Sequence, residues 1–220
     1  VSDAAHEIRT PLTSLRADLT LALSEKTCES SKPIIERSLE QVDRLDQLSR
    51  DLLDLSMLET QDARTRFNKI GLVNLLEELS EVHASAAEQA GIIFQIQLPT
   101  KKLYVQGDKN QLYRAVGNLL DNAVKFTPAG GNVTLSLCEE NGSAQITVED
   151  SGIGIPVEEC EELFKRFHRG KNTQNFPGSG LGLAIAKTIV ENHRGEIGLL
   201  PNTERTIFFI HLPLITDTTR

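Results

Sequence analysis

Residues 118–127 read NLLDNAVKFT, a helical stretch that carries two asparagines and a lysine among core-forming residues. Asn118 and Asn122 are one helical turn apart and therefore share a face. Amide oxygens suit Mg²⁺, which takes few protein ligands and completes its shell with water and phosphate oxygens. Lys125, almost a turn beyond Asn122, can meet phosphate as a point charge. A plain polar helix face remains the alternative interpretation of this stretch taken alone.

Two glycine-containing turns follow the helix. Residues 150–155, DSGIGI, come directly after an apolar strand; Gly152 and Gly154 allow a tight turn, and Asp150 can accept a hydrogen bond from an exocyclic amine. Residues 178–183, GSGLGL, open a helix, where free N–H groups and the helix dipole favour phosphate. The match to G-x-G-x-x-G is superficial and no Rossmann strand precedes it, so we expect no dinucleotide site. The polar segment 166–177 predicts a mobile loop that closes over a nucleotide.

Around these turns, residues 65–215 alternate between helical and strand-like patterns. The patterns predict helices at 72–90, 108–126 and 181–193, with Asp108 as the N-cap of the second. They predict strands at 92–98, 103–106, 132–138, 144–149, 195–200 and 206–212, the middle two paired as a hairpin around Asn141 and Gly142. This order predicts an α/β sandwich with helices on one face of a mixed sheet.

The first 60 residues carry apolar stripes at helical spacing. One stripe runs through Ile8, Leu12, Leu15, Leu19 and Leu23, and a second runs through 35–58 after a polar break at 27–33. We expect Pro33 in the first turn of the second helix. Two amphipathic helices bury little alone, so the hairpin predicts pairing with a second copy into a four-helix bundle. The alternative is a hairpin packed on its own downstream domain.

His6 is the candidate nucleophile of the first helix. At about 100° per residue it points roughly 140° away from the centre of the leucine stripe, and Thr10 shares its face. Glu7 can polarise one ring nitrogen so that the other attacks. Pro11 should bend the helix just past the histidine. Taken alone, an exposed histidine is more often an ordinary surface residue.

Composition excludes several classes. The chain has 220 residues, 31 acidic and 23 basic side chains and a net charge of −8, which argues against a surface built for nucleic acid. No apolar stretch reaches the roughly 18 residues of a membrane span and no signal peptide is evident, so we expect soluble material. Three widely spaced cysteines predict neither a disulfide nor a metal framework and fit a reducing compartment. Because the sequence begins inside a helical pattern, we expect a piece of something longer.

The order of the motifs resembles the sensor histidine kinases of two-component systems. HEIRTPL (6–12), NLLDNAVKFT (118–127), DSGIGI (150–155), LFKRFHR (163–169) and GSGLGL (178–183) match the H, N, first glycine, F and second glycine boxes of that family. The resemblance implies an α+β chain. A helical dimerisation and phosphotransfer hairpin at 1–62 precedes an ATP-binding α/β sandwich at 65–215, of the type shared with Hsp90, gyrase and MutL.

The resemblance also implies residue roles. His6 would be the phosphoacceptor, Glu7 its acid/base partner, and Thr10 the residue that orients water during dephosphorylation of a regulator. Asn118 and Asn122 would hold Mg²⁺. The ATP contacts would be made by Asn118, Asn122, Lys125, Phe126, Asp150, Gly152, Gly154, Ile155, Phe167, Arg169, Gly178, Gly180, Leu181 and Gly182. Phe164 matches the F box beside Phe167, and Phe126 stands where many members carry tyrosine. Arg166, Arg169 and Lys171 compete as the cation that reaches the γ-phosphate.

The implied partners are a cognate response regulator and a second copy of the chain. The implied location is the cytoplasmic portion of a membrane-anchored sensor whose sensing region lies upstream. Three other functions stay open: a regulator phosphatase with minor kinase activity, a non-kinase ATPase of the same superfamily, and a scaffold that binds nucleotide without catalysis. The ATPase class lacks the HEIRTP hairpin, and a degenerate scaffold would be expected to lose some of Asn118, Asn122 and Asp150.

Overall fold

The computed structural model describes residues 2–24, 28–59, 67–173, 176, 178–200 and 205–215. Within these ranges the elements follow in the order α1 (Ser2–Ser24), α2 (Cys28–Glu59), β1 (Asn68–Gly71), α3 (Leu72–Gln89), β2 (Ile93–Gln97), β3 (Tyr104–Gly107), α4 (Lys109–Phe126), β4 (Asn132–Glu140), β5 (Ser143–Asp150), α5 (Gly182–Asn192), β6 (Glu196–Leu200) and β7 (Thr206–Pro213). None of these helices is both long and apolar enough to cross a bilayer.

The first two helices form the predicted antiparallel hairpin. Arg37 of α2 binds Asp18 of α1 with two hydrogen bonds, Nη2 to Oδ1 at 2.5 Å and Nε to Oδ2 at 3.1 Å, which fixes their register. Helix α1 continues through Pro11. The expectation that Pro33 lies in the first turn of α2 is wrong, because the helix begins at Cys28. Pro33 is exposed, so water can satisfy the one carbonyl that its missing N–H leaves without a partner.

The apolar stripes of the hairpin are covered over only part of their length. Six stripe residues are between 36% and 58% exposed in the single chain: Ile8, Leu12, Leu19, Ile35, Leu39 and Val42. Toward the end of α2, Leu48, Leu55 and Leu58 are buried and join the core of the rest of the chain. The packing of the hairpin on its own downstream part therefore accounts for the end of α2, and leaves these six residues uncovered.

Residues 67–215, the α/β unit, are built on a five-stranded sheet with the order β2-β4-β5-β7-β6. Strands β2 and β4 are parallel and the other neighbours antiparallel, so the sheet is mixed, as predicted. The hairpin turn is confirmed: Asn141 (φ 50°) and Gly142 (φ 79°) are both left-handed, as a two-residue type I′ turn requires. Strand β1 pairs with β3 and was not expected, because its four residues, NKIG, show no alternation of apolar and polar side chains.

The helices of the α/β unit cover one face of the sheet. Along β5 the buried side is carried by alternate residues, Ala144, Ile146, Val148 and Asp150, and the first three pack in one core with leucines of α3 and α4. Asp108 caps α4 as predicted, since its Oδ1 accepts the N–H groups of residues 110 and 111. The carboxylate of Asp150 therefore lies at the buried end of β5, beside the C-terminal half of α4.

Candidate nucleotide site

A cavity of about 330 Å³ lies between α4, the two glycine turns, the segment 168–176 and α2. Eleven of the sequence-predicted residues line it: Asn118, Asn122, Lys125, Phe126, Asp150, Gly154, Ile155, Arg169, Gly178, Gly180 and Gly182. Residues separated by more than sixty positions are thereby brought into one site. Three predicted residues, Gly152, Phe167 and Leu181, do not line the cavity.

The asparagine face of α4 points into this cavity. Asn118 donates from Nδ2 to the carbonyl oxygen of Gly182 at 2.9 Å, which fixes the amide with Oδ1 as its remaining acceptor. Asn122 lines the cavity one turn further along the helix. The donor set fits Mg²⁺, because two amide oxygens leave room for water and phosphate oxygens. Among the described residues, no cluster of three or more His, Cys, Asp or Glu could hold a metal instead.

Lys125 reaches from the end of α4 toward the second glycine turn. Its Nζ lies 4.8 Å from the centroid of the Phe126 ring, and a Cβ added at Gly178 would lie 2.9 Å from the same atom. Burial lowers the pKa of Lys125, and the nearby charge of Arg169 lowers it further, while Asp121 opposes both. A partly desolvated ammonium beside a glycine turn is suited to meeting a phosphate group.

Asp150 lies at the opposite wall and is only 4% exposed. Its Oδ1 accepts the N–H of Gly152 at 2.9 Å. Burial raises the pKa of Asp150 to about 6, with a smaller contribution from Glu149, although hydrogen bonds from Gly152 and Thr206 favour the ionised form. Thr206 stands directly opposite Asp150 in the β5–β7 register, which local sequence could not reveal. This carboxyl can accept a hydrogen bond from an exocyclic amine.

Two glycines are required by close approach rather than by ligand contact alone. A Cβ at Gly152 would lie 2.6 Å from both Asp150 Oδ1 and the carbonyl oxygen of Phe126, so the first glycine turn packs against the end of α4. Gly180 has a φ of 71°, and a Cβ there would lie 2.8 Å from the carbonyl oxygen of His168. Gly152 therefore supports the cavity from behind, as Phe167 and the fully buried Leu181 do through core packing.

The segment predicted as a lid folds over the first glycine turn. Asn172 donates from Nδ2 to the carbonyl oxygen of Gly154 at 3.0 Å, and Phe176 meets Phe126 edge to face at 5.1 Å. Arg169, a predicted phosphate contact, donates to the carbonyl oxygens of Thr173 and Phe176. Residues 174, 175 and 177 of the predicted lid lie outside the described residues.

Helix α2 contributes a wall that the sequence analysis missed. Asp51 lines the cavity, is 6% exposed, and accepts hydrogen bonds from Gln47 (3.0 Å), Arg114 (3.1 Å) and Ser179 (2.9 Å). Arg114 also pairs with Asp54. No local pattern relates residues 51, 114 and 179, so only the folded chain reveals this contact between α2 and the second glycine turn.

The backbone of the predicted phosphoacceptor lies in α1, while the side chains of His6, Glu7 and Thr10 lie outside what the structure describes. The pair between Asp18 and Arg37 sets the hairpin register, and both helices rise about 1.5 Å per residue. Position 6 is therefore roughly level with position 49 of α2. That height falls between Gln47 and Asp51, the two α2 residues at the cavity wall.

Comparisons with known proteins match both halves of the chain. Residues 1–61 match the family described as the His Kinase A (phospho-acceptor) domain, and residues 107–216 match the family described as histidine kinase-, DNA gyrase B- and HSP90-like ATPases. The sensor histidine kinase RppB of Synechocystis is 37% identical over 222 residues, which cover 98% of this chain and 48% of RppB.

One further relative and one solved structure extend the comparison. The histidine-protein kinase/phosphatase MprB of Mycobacterium leprae is 38% identical over 208 residues, covering 89% of this chain and 38% of MprB. The crystal structure of histidine kinase ThkA in complex with the response regulator TrrA has the same fold, with a TM-score of 0.78 at 23% identity, over 98% of this chain and 61% of ThkA. The chain thus spans less than half of the length of RppB and of MprB.

Proposed function

The chain belongs to the sensor histidine kinases, and from that premise we propose that it is the core of an ATP-dependent protein-histidine kinase. It phosphorylates His6 from Mg-ATP and passes the phosphoryl group to an aspartate of a response regulator. One observation carries the proposal: a single cavity collects the asparagines, lysine, carboxylate and glycine turns that ATP needs, and its α2 wall lies at the height of His6.

The adenine and the phosphates of the nucleotide bind at two different ends of the cavity. Asp150 accepts the hydrogen bond of the adenine amine, above the turn formed by Gly152 and Gly154. Lys125 and the glycine turn at 178–182 receive the phosphates, with free N–H groups at the start of α5. Asn118 and Asn122 hold Mg²⁺, which when bound neutralises phosphate charge and orients the transferred group.

The chemistry at His6 needs positioning more than covalent assistance. Glu7 takes the proton of one ring nitrogen while the other attacks the γ-phosphorus, and the bond to the leaving β-γ bridging oxygen breaks as the new N–P bond forms. ADP leaves, and the phosphohistidine then donates its phosphoryl group to a carboxylate of the regulator. The α/β unit swings the γ-phosphate toward His6 during transfer, and the contacts of Asp51 with Arg114 and Ser179 would be exchanged in that movement.

The uncovered apolar stripe supports a homodimer. Leu12, Leu19, Leu39 and Val42 expose apolar surface that a second hairpin would bury in a four-helix bundle. A response regulator is the expected second partner; ThkA is known in complex with one, TrrA. In the full-length protein we expect a membrane-anchored sensing region upstream and a cytoplasmic location for this portion. The division into 1–62 and 65–215 belongs to the same proposal.

A second activity, dephosphorylation of the regulator, uses the same hairpin. Thr10 lies one turn beyond His6 in α1, where its hydroxyl can orient a water against the aspartyl phosphate. MprB, one of the similar proteins, is described as a kinase/phosphatase. Thr10→Ala is expected to keep autophosphorylation and lose dephosphorylation, measured with a separately phosphorylated regulator.

The proposal is tested by incubation with γ-labelled ATP and Mg²⁺. The expected product is label that acid removes and alkali leaves, present in the wild type and absent in His6→Ala, with ATP binding unchanged in that variant. Asp150→Asn serves as a control: it should lose labelling because it no longer binds ATP. Label retained in His6→Ala would overturn the assignment, and hydrolysis without any label would indicate the ATPase class.

A further inference from the structure

Two buried histidines of the α/β unit make the same first contact. His83 Nδ1 lies 2.8 Å from the carbonyl oxygen of Leu79, and His193 Nδ1 lies 2.7 Å from the carbonyl oxygen of Ile189. A carbonyl oxygen can only accept a hydrogen bond. Both rings therefore carry a proton on Nδ1.

The second ring nitrogen distinguishes them. His193 Nε2 accepts the backbone N–H of Asp108 at 3.0 Å, so His193 is neutral. His83 Nε2 lies 3.1 Å from Asp121 Oδ1, and an ionised carboxylate offers no donor. His83 must then carry a proton on both nitrogens, which makes it an imidazolium paired with a carboxylate. Its contacts raise the pKa of His83 although burial alone would lower it.

No other charged group competes for this ring among the described residues of the elements packed on α3. The neighbours of His83 on its own face are Leu79, Ser80, Ala86 and Ala87, and β2 reads IFQIQ, without a titratable side chain. On β1, Lys69 lies over the ring of Tyr104, 4.3 Å from its centroid. Helix α4 contributes Asp121.

Asp121 lies where its charge would affect nucleotide binding. It stands between Asn118 and Asn122 in sequence, lines the same cavity, precedes Lys125 by one turn, and its side chain is 72% exposed. An unpaired carboxylate at the phosphate end would repel a polyanionic nucleotide and compete for Lys125. A positive charge on the far side of Asp121 offsets that repulsion.

We infer that His83 is a positioning residue of the nucleotide site: its imidazolium binds Asp121 and neutralises it, so that the cavity accepts a nucleoside triphosphate. The inference rests on the proposed function only for the identity of the ligand. His83 touches neither nucleotide nor metal in this role; it acts from α3 through Asp121. Nucleotide binding depends on the charge of His83 rather than on the volume of its side chain.

The direct measurement is the protonation of the ring nitrogens, followed by ¹⁵N-edited NMR of the nucleotide-free chain. We expect the pKa of His83 to lie above that of an ordinary histidine and the pKa of His193, which serves as the internal control, to lie below it. In Asp121→Asn the pKa of His83 should fall, because its charged partner is gone. A pKa of His83 at or below that of an ordinary histidine in the wild type would overturn the inference whatever the chain binds.

The functional measurement is a double-mutant cycle read by calorimetric binding of a non-hydrolysable ATP analogue. His83→Gln keeps a hydrogen-bond donor and removes the charge, and we expect about a three- to fivefold rise in Kd, the upper part of the range for a partly exposed charge pair. In the Asp121→Asn background the same change should alter Kd by less than about twofold, since no carboxylate remains to neutralise.

Equal losses in both backgrounds would mean that His83 only fills space, and would overturn the inference. If His83→Gln does not fold, the pH profile decides: the wild-type Kd should rise as His83 loses its proton, and Asp121→Asn should lack that rise. A profile shared by both proteins would contradict the inference. Absence of any binding to the wild type would instead contradict the proposed function, and leaves the NMR result standing as the test of the pair.

Discussion

Asp150 is expected to reduce the stability of the nucleotide-free chain at neutral pH. The folded pKa of Asp150 is about 6, against an unfolded value of 3.8. Because the folded pKa is raised, its favourable contribution is fully present below the unfolded value and is lost as pH rises through about 6. A shift of about two units at about 1.4 kcal/mol each gives roughly 3 kcal/mol. The side chain is 4% exposed, so solvent screening reduces this little.

Asp150→Asn removes the titration and can keep both hydrogen bonds, since the amide oxygen can accept from Gly152 and the amide nitrogen can donate to the Thr206 hydroxyl, which reverses the direction of the second bond. We therefore expect the variant to gain stability relative to wild type as pH rises from 4.5 to 7.5, by roughly 2 kcal/mol, since about 1 kcal/mol of the full effect lies below pH 4.5. Other titrating groups cancel in the difference. The same variant should lose ATP binding, a trade of stability against function.

The assay is urea unfolding of both proteins without nucleotide across that pH range, following the transition of the α/β unit. The reasoning predicts a difference in unfolding free energy that grows with pH and levels off above about pH 7. A difference that is constant with pH, or that shrinks as pH rises, would refute a raised pKa at Asp150.

Three further predictions concern the frame of the site. Gly180→Ala should lower the unfolding free energy more than Gly142→Ala, because both have positive φ but only Gly180 meets neighbouring backbone at 2.8 Å; we expect about 1 kcal/mol for Gly142 and clearly more for Gly180, by urea unfolding. Asp51→Asn should loosen α2 from the α/β unit by about 1–3 kcal/mol and speed hydrogen exchange at 51–58, while Asp46→Asn, which affects only an exposed pair on the same helix, should not. Burial lowers the folded pKa of His193, so the unfolding free energy of the wild type relative to that of His193→Gln should fall as pH falls below the unfolded value of 6.5.

Each of these has a clear contrary result. Equal losses in Gly180→Ala and Gly142→Ala would mean that the close approach is unimportant. Unchanged exchange in Asp51→Asn would mean that Leu58 and its apolar neighbours hold α2 without the carboxylate. A stability difference between wild type and His193→Gln that does not depend on pH would mean that the ring titrates normally.

Local patterns anticipated most elements because those elements are amphipathic and carry their own end signals. Asp108 caps α4, and the Asn141–Gly142 turn closes its hairpin, each through interactions within a few residues. Strand β1 and the early start of α2 were not predicted, because they lack such local signals. The first is too short to alternate, and the second continues through a proline that local rules place at a helix start.

The residues of the site likewise fall into those that local sequence predicts and those that it does not. Asn118, Asn122 and Asp150 were predicted from spacing and motif, and the structure brings them into one cavity. Asp51 and Thr206 were not, because their importance comes from partners that are 128 and 56 positions away in sequence. The pairing of His83 with Asp121 likewise joins two helices. Sequence spacing predicts which residues share a face, but only tertiary packing determines which faces meet.

The central claim is that His6 accepts the phosphoryl group, and the most direct measurement is where the phosphate resides. The chain has five histidines, so the product of incubation with ATP and Mg²⁺ should be digested at neutral pH and mapped by mass spectrometry. The account predicts one phosphorylated peptide, with the phosphate on His6. Phosphate on His83, His168, His193 or His211, or on a serine or threonine, would contradict it.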